Sequence, residues 1–141
     1  MENRENFTPS DSMLVREMLS EFFPEARKGI RALGEEEEEL IPGGEVEAYT
    51  LISEIFIDGV LGPLLDDASG LDSNMAQRCA NFLESLLSVG RPSLNEMVSI
   101  RVIDYLLGYP EKWELFRSHA GRLLSLEVEG RKRYYSTPSC E

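Results

Sequence analysis

Glu54 and Asp58 have the spacing best suited to chemistry, because residues four apart on a helix bring their side chains together and two carboxylates can then share a proton. At 100° per residue, however, Glu47, Thr50, Glu54 and Asp58 cover an arc of only about 80°, which describes a polar stripe open to solvent or to a partner. For this pair taken alone a solvated helix face is the better reading, partner contact the next and catalysis the last. Other chemistry is poorly provided for. His119 is the sole histidine, so metal sites needing two imidazoles are excluded. Cys79 lies in an apolar helical pattern and Cys140 in a polar tail, which describes a buried thiol rather than a disulfide framework. Asp66, Asp67, Ser69, Asp72 and Asn74 superficially match a calcium loop, but position twelve counted from Asp67 is Arg78, where a bidentate glutamate is required. There is no Gly-rich phosphate loop, no nucleophile elbow and no Cys-x-x-Cys. These residues point to no enzyme, no cofactor and no metal.

Charge says more. The formal net charge is −12, and all the excess lies before residue 73, where 18 acidic residues face 5 basic ones; the remainder carries 8 against 9. A surface of that sign repels phosphate, so nucleic acid and anionic membranes are unfavourable partners and a basic protein is the complement. The acidic run Glu35 to Glu39, the stripe Glu47, Glu54 and Asp58, and the pair Asp66 and Asp67 fall within 33 residues. Their fields would add over one region and steer a basic target by roughly 10- to 1,000-fold in association rate at low salt. Glu36, Glu37, Glu38, Glu47, Glu54, Asp58, Asp66 and Asp67 are therefore the candidate partner-binding residues.

The elements that would position them are helical. A chain of 141 residues with 42% hydrophobic content suits one all-α domain, with a core expected over about residues 12–126 and flexible ends. Pro9-Ser10-Asp11 can cap a first helix carrying Met13, Leu14, Met18, Leu19, Phe22 and Phe23. Pro24 ends it and opens a short second helix to Leu33, where Gly34 stops the pattern and the glutamate run forms the main surface loop. A third helix follows over residues 45–61, with Tyr49, Ile52, Ile55, Phe56, Gly59 and Val60 facing inward, until Gly62-Pro63 breaks or kinks it. Asp72 or Ser73 caps a fourth helix ending before Gly90, and Ser93 with Glu96 forms a capping box that starts a fifth at residue 94. A last helix runs from Pro110 through Trp113 and Phe116 to Leu124, leaving a frayed basic tail from Gly130. The expectation is five to seven helices in stacked antiparallel pairs.

Trp113, Tyr105, Tyr109 and Phe116 are expected to pack inward, any exposed one being a binding hot spot. Arg131-Lys132-Arg133 is too short a basic cluster, beside too acidic a body, to read as a nucleic-acid site. Charges and glycines interrupt each apolar stretch before the length a membrane span needs, and the N-terminus lacks the basic start and apolar run of a secretory signal. A cytoplasmic protein, monomeric or weakly dimeric, is expected.

The helix running into Phe23-Pro24-Glu25, the acidic connection, the long central helix, then Asn81-Phe82-Leu83-Glu84-Ser85-Leu86-Leu87 and Ile103-Asp104-Tyr105-Leu106-Leu107-Gly108 together resemble small acidic helical immunity proteins of bacterial polymorphic or contact-dependent toxin systems. The resemblance covers roughly residues 12–126. It implies an antitoxin that binds a cognate toxin domain, often a nuclease, and blocks its active site or substrate groove, with no catalytic residues of its own. Two other readings compete: a helical adaptor holding a peptide in an apolar groove, and an enzyme built on Glu54 and Asp58. The adaptor predicts weak salt dependence; the enzyme requires both carboxylates to converge in a pocket.

Overall fold

In the computed structural model, which describes residues 8–67 and 70–136, four phenylalanines form the centre of the core. Phe23, Phe56 and Phe82 are fully buried, with ring centroids 4.9 to 5.8 Å apart, and Phe22 meets Phe82 edge-on at 5.8 Å. They come from three helices, so this one cluster joins distant parts of the chain. Helix α1 (Asp11–Phe22) starts where expected, with the Ser10 side chain accepting from the Met13 N–H. It delivers Phe22 and Phe23 just before Pro24 turns the chain away.

Seven helices run through the described residues and no strand does, so the all-α expectation holds. After α1 come α2 (24–40, its first turn 3₁₀), α3 (Ala48–Asp66), α4 (Ser73–Ser88), α5 (92–108), α6 (110–119, its last turn 3₁₀) and α7 (Arg122–Ser136). Helix α3 packs against α1, α2 and α5, while α4 packs against α1, α5 and α7. Among the described residues no polar or charged side chain is buried. Hydrophobic burial therefore holds the interior together.

Several local expectations need correction. Gly34 does not end α2: the helix continues through the whole glutamate run to Leu40, and the turn comes at residues 41–44, with Gly43 at φ +80. A single glycine costs a helix only about 1 kcal/mol against alanine, less than neighbouring turns contribute. Gly62-Pro63 does not break α3 either. Residues Leu51–Leu61 are wound as a π-helix, and the Gly62 N–H bonds five residues back to the Ile57 carbonyl. The wider winding carries the chain past Pro63, which has no N–H to give and whose ring would press on the Gly59 carbonyl in α-register. Gly62 is needed there, since a Cβ would lie 2.8 Å from the Ile57 oxygen.

The capping box is not used. Helix α5 begins at Pro92 without a side-chain cap, and Ser93 lies beside Asp11 of α1, whose carboxyl it helps to hold below the ordinary range. The last helix divides at Ala120-Gly121, and the tail is helical to Ser136, with Val128 buried beyond the expected core limit. Residues 137–141 lie outside the described residues. Tyr109 faces outward at 50% exposure, whereas Trp113 and Phe116 are buried.

Helix α3 also differs from expectation in its hydropathy. Its 19 residues are long and apolar enough to cross a membrane by length and composition, Glu54 and Asp58 being too few charges to interrupt it. In this fold its apolar face is the middle of the core, with Leu51, Ile52, Phe56 and Leu61 at 1% exposure or less. Both charges sit on the opposite, exposed side.

Candidate functional site

The glutamates of α2 and the acidic stripe of α3 meet across a crevice. On α2, Leu33, Glu36, Glu37 and Leu40 recur at the spacing of one helical face; on α3 and its approach, Glu47, Thr50 and Glu54 do the same. With Glu45 and Val46 from the connecting segment they line a cavity of about 320 Å³. Every ionisable side chain lining it among the described residues is a glutamate, and Leu33, Leu40 and Val46 supply its apolar walls. Leu40, on its wall, is 79% exposed, and the next residue along the chain, Ile41, is 59% exposed.

The connecting segment is shaped by the same residues. Both carboxylate oxygens of Glu38 accept the Gly43 N–H, at 3.1 and 3.2 Å, and the Ser10 hydroxyl donates to Glu45 at 3.2 Å. Glu38 is thus engaged by the backbone of the turn. Helix α2 itself is charged against its own dipole: Arg27, Lys28 and Arg31 lie near its positive N-terminal end, and five glutamates crowd its negative C-terminal end. Helix stability alone would favour the reverse order.

The remaining candidates lie elsewhere. Asp58 and Asp66 line a second cavity of about 400 Å³ near the other end of α3, together with Ile57, Gly62, Pro63, Tyr105, Tyr109 and Lys112. There the Lys112 ammonium donates to Asp66 Oδ1 at 2.6 Å and to the Tyr105 hydroxyl at 3.3 Å. The Asp66 carboxylate, with help from Tyr105, holds that ammonium above the ordinary lysine range. Asp67 is exposed beside it. Glu47 and Asp66 are nineteen positions apart along α3, roughly 25 to 30 Å at helical rise. That is about three Debye lengths at physiological salt, so these two residues are screened from each other, although Glu54 and Asp58, one turn apart, leave the two cavities neighbours along one acidic helix face.

Glu54 and Asp58 are both exposed and line different cavities. The structure does not bring them into a common pocket. Sequence reasoning also missed residues that matter. Leu40 and Ile41 lay in a segment expected to be a loop, and Glu45 and Val46 in the first turn of the expected third helix, which starts only at Ala48. Tyr105, Tyr109 and Lys112 are separated by the Pro110 break, which hides their common placement.

The basic end of the chain is occupied internally. Arg131 pairs with Asp104 through two hydrogen bonds of 2.8 and 2.9 Å, and its guanidinium lies 4.9 and 5.2 Å from the Tyr134 and Tyr135 ring centroids. Lys132 sits 3.7 Å from Glu129. The cluster folds back onto its own helices.

No protein-family model, curated protein or solved structure matches this chain. Function is therefore argued from the site itself. Within the described residues no group of histidine, cysteine, aspartate or glutamate side chains has the arrangement of a metal site.

Proposed function

We propose that this chain is an immunity-type protein that neutralises a basic toxin domain, such as a nuclease, by seating a cationic segment of it in the α2/α3 crevice. The observation that carries the reading is the composition of that crevice: five glutamates, no lining cation among the described residues, and exposed Leu40 on its wall with exposed Ile41 next along the chain. Carboxylates presented this way offer a nuclease groove the charge pattern it expects from phosphate, and occupancy alone excludes substrate. The reversed charge order of α2 supports the same view, since stability is given up where the glutamates lie.

Magnitudes divide the work between the groups. An exposed ion pair contributes about 0 to 1 kcal/mol, whereas burying a leucine-sized side chain contributes about 1.5 to 3. Leu40 and Ile41 would then supply much of the affinity and the glutamates the speed and selectivity. A stable interface buries about 800 Å² per partner, so it must extend past the crevice onto the turn and the outer face of α2.

The test begins with capture of partners from the native host by the wild-type chain, eluted with stepwise salt and identified by mass spectrometry. The captured protein is then purified and titrated. A basic enzyme, inhibited by the wild-type chain and escaping a Glu36→Lys/Glu47→Lys/Glu54→Lys variant at physiological salt, is the expected result. A partner that binds both forms equally, or one released by no salt, overturns it.

A further inference from the structure

The cavity at the far end of α3 already holds a cation. Lys112 Nζ lies 4.9 Å from the Tyr109 ring centroid and 5.3 Å from that of Tyr105, while its third neighbour is the Asp66 carboxylate at 2.6 Å. The Tyr109 ring, the Tyr105 hydroxyl edge and a carboxylate surround it, which are components of a recognition site for a cationic side chain. The two rings hold each other edge-on at 5.7 Å, which fixes the walls of the cage. It is open to one side: the Lys112 side chain is 15% exposed, but Asp66 is 64% exposed and Tyr109 50%. The adjoining volume of about 400 Å³ has Asp58 on its wall. An ion pair serving only to pack α6 against α3 leaves that volume and the open tyrosine face without a role.

We propose that this cage is a second docking point for the basic partner, that its external ligand is an arginine side chain, and that Lys112 is an internal stand-in which that arginine displaces. On the Asp66 carboxylate the exchange is one cation for another, while Lys112 stays tethered at the rim. Arginine gains over lysine by chemistry: its guanidinium is planar, weakly hydrated and stacks on tyrosine, and its donor fork suits the Asp66 carboxylate. The released Lys112 returns to solvent, where an ammonium is strongly hydrated. Two acidic sites along α3, one a crevice and one a cage, would bind the partner through two points and fix its orientation.

The proposal rests on the partner being basic, but its test does not need the partner. N-acetyl-arginine amide is titrated into the ¹⁵N,¹³C-labelled full chain while Tyr105 and Tyr109 ring resonances are followed, with N-acetyl-leucine amide as control. The wild type is expected to show saturable shifts confined to these rings and their neighbours. Lys112→Met, which removes the internal competitor, should bind about tenfold more tightly, the combined worth of a cation–π contact and an exposed ion pair. Asp66→Asn in that background should weaken it again. Should Lys112→Met fail to fold, Lys112→Gln and the wild-type titration still decide the matter. Ring resonances unmoved by the arginine probe in the wild type and in a folded Lys112 variant overturn the cage. A positive titration beside failed partner capture leaves the cage standing and removes only the toxin-neutralising reading.

Discussion

Glu84 lies where the side chain of any residue but glycine at position 121 would be: a Cβ on Gly121 would come within 2.6 Å of its carboxylate. The close approach lets Glu84 of α4 accept the Leu123 and Leu124 N–H groups, at 2.8 and 2.9 Å, and so cap α7 from another helix. Carboxylates suit the positive end of a helix, whose first N–H groups have no partner within it. Asp104 and Arg131 fasten the same helix further along. With few buried side chains of its own, Leu124 and Val128 among them, α7 depends on these two attachments.

Gly121→Ala should therefore destabilise the chain by about 2 kcal/mol, because the flexible Glu84 head can swing aside but surrenders two charge-assisted hydrogen bonds. Glu84→Ala should cost a similar amount, and the double variant little more than either, since both remove one interaction. Urea denaturation of the four proteins measures the cycle. Additive effects would show that the two residues act independently.

Acid should unfold the protein through three paired carboxylates. Asp104 is held below the ordinary range by hydrogen bonds from Arg131, Asp11 by the Ser93 hydroxyl and then Arg91, and Glu25 by Arg78. A carboxylate whose folded pKa is depressed contributes stability above its unfolded pKa and loses it as pH falls through the folded value. Stability should hold level from neutrality to about pH 5 and fall below about pH 4. Asp104→Asn should be less stable than wild type at neutral pH and should converge with it in acid. Denaturation curves measured across that range check this, and two stability profiles that stay parallel throughout would rule it out.

Glu39→Lys should raise stability by about 0.3 to 1 kcal/mol at low salt, since it replaces an unfavourable charge at the negative end of α2 with a favourable one. The same substitution should slow capture of the basic partner. Thermal melts and association kinetics report the two effects separately; a gain in stability with unchanged association would place Glu39 outside the interface.

The π-wound middle of α3 makes Gly62 sensitive. Gly62→Ala sets a methyl against the Ile57 carbonyl oxygen and should cost about 1 to 3 kcal/mol, the usual range for overpacking, even though alanine is the better helix former. Gly34→Ala, where a Cβ meets nothing within 4 Å, should instead stabilise by up to about 1 kcal/mol. Equal responses at the two positions in chemical denaturation would contradict this account of α3.

Where the chemistry was local, the sequence was readable. Ser10 and Asp72 cap the helices they precede, and Pro24 turns the chain where its ring forbids continuation. The inward faces of α1, α3 and α4 follow from their apolar spacing, so the all-α class and most of the core were determined by periodicity alone. Net charge and its concentration before residue 73 were equally plain.

Only the tertiary structure decided what happens when local signals compete with distant ones. Gly34 and Gly62-Pro63 are breakers by intrinsic preference, yet neighbouring turns and a change of helical winding carry the chain through both. Ser93 had a capping glutamate three residues on, but the helix starts ahead of it at Pro92, and Ser93 acts instead on the carboxyl of Asp11, eighty-two positions away along the chain. The acidic residues likewise form one block in sequence but line two cavities in space, which adjoin between Glu54 and Asp58 on α3. Composition set the sign and amount of charge; the packing of α2 and α6 against opposite ends of α3 determined which carboxylates act together.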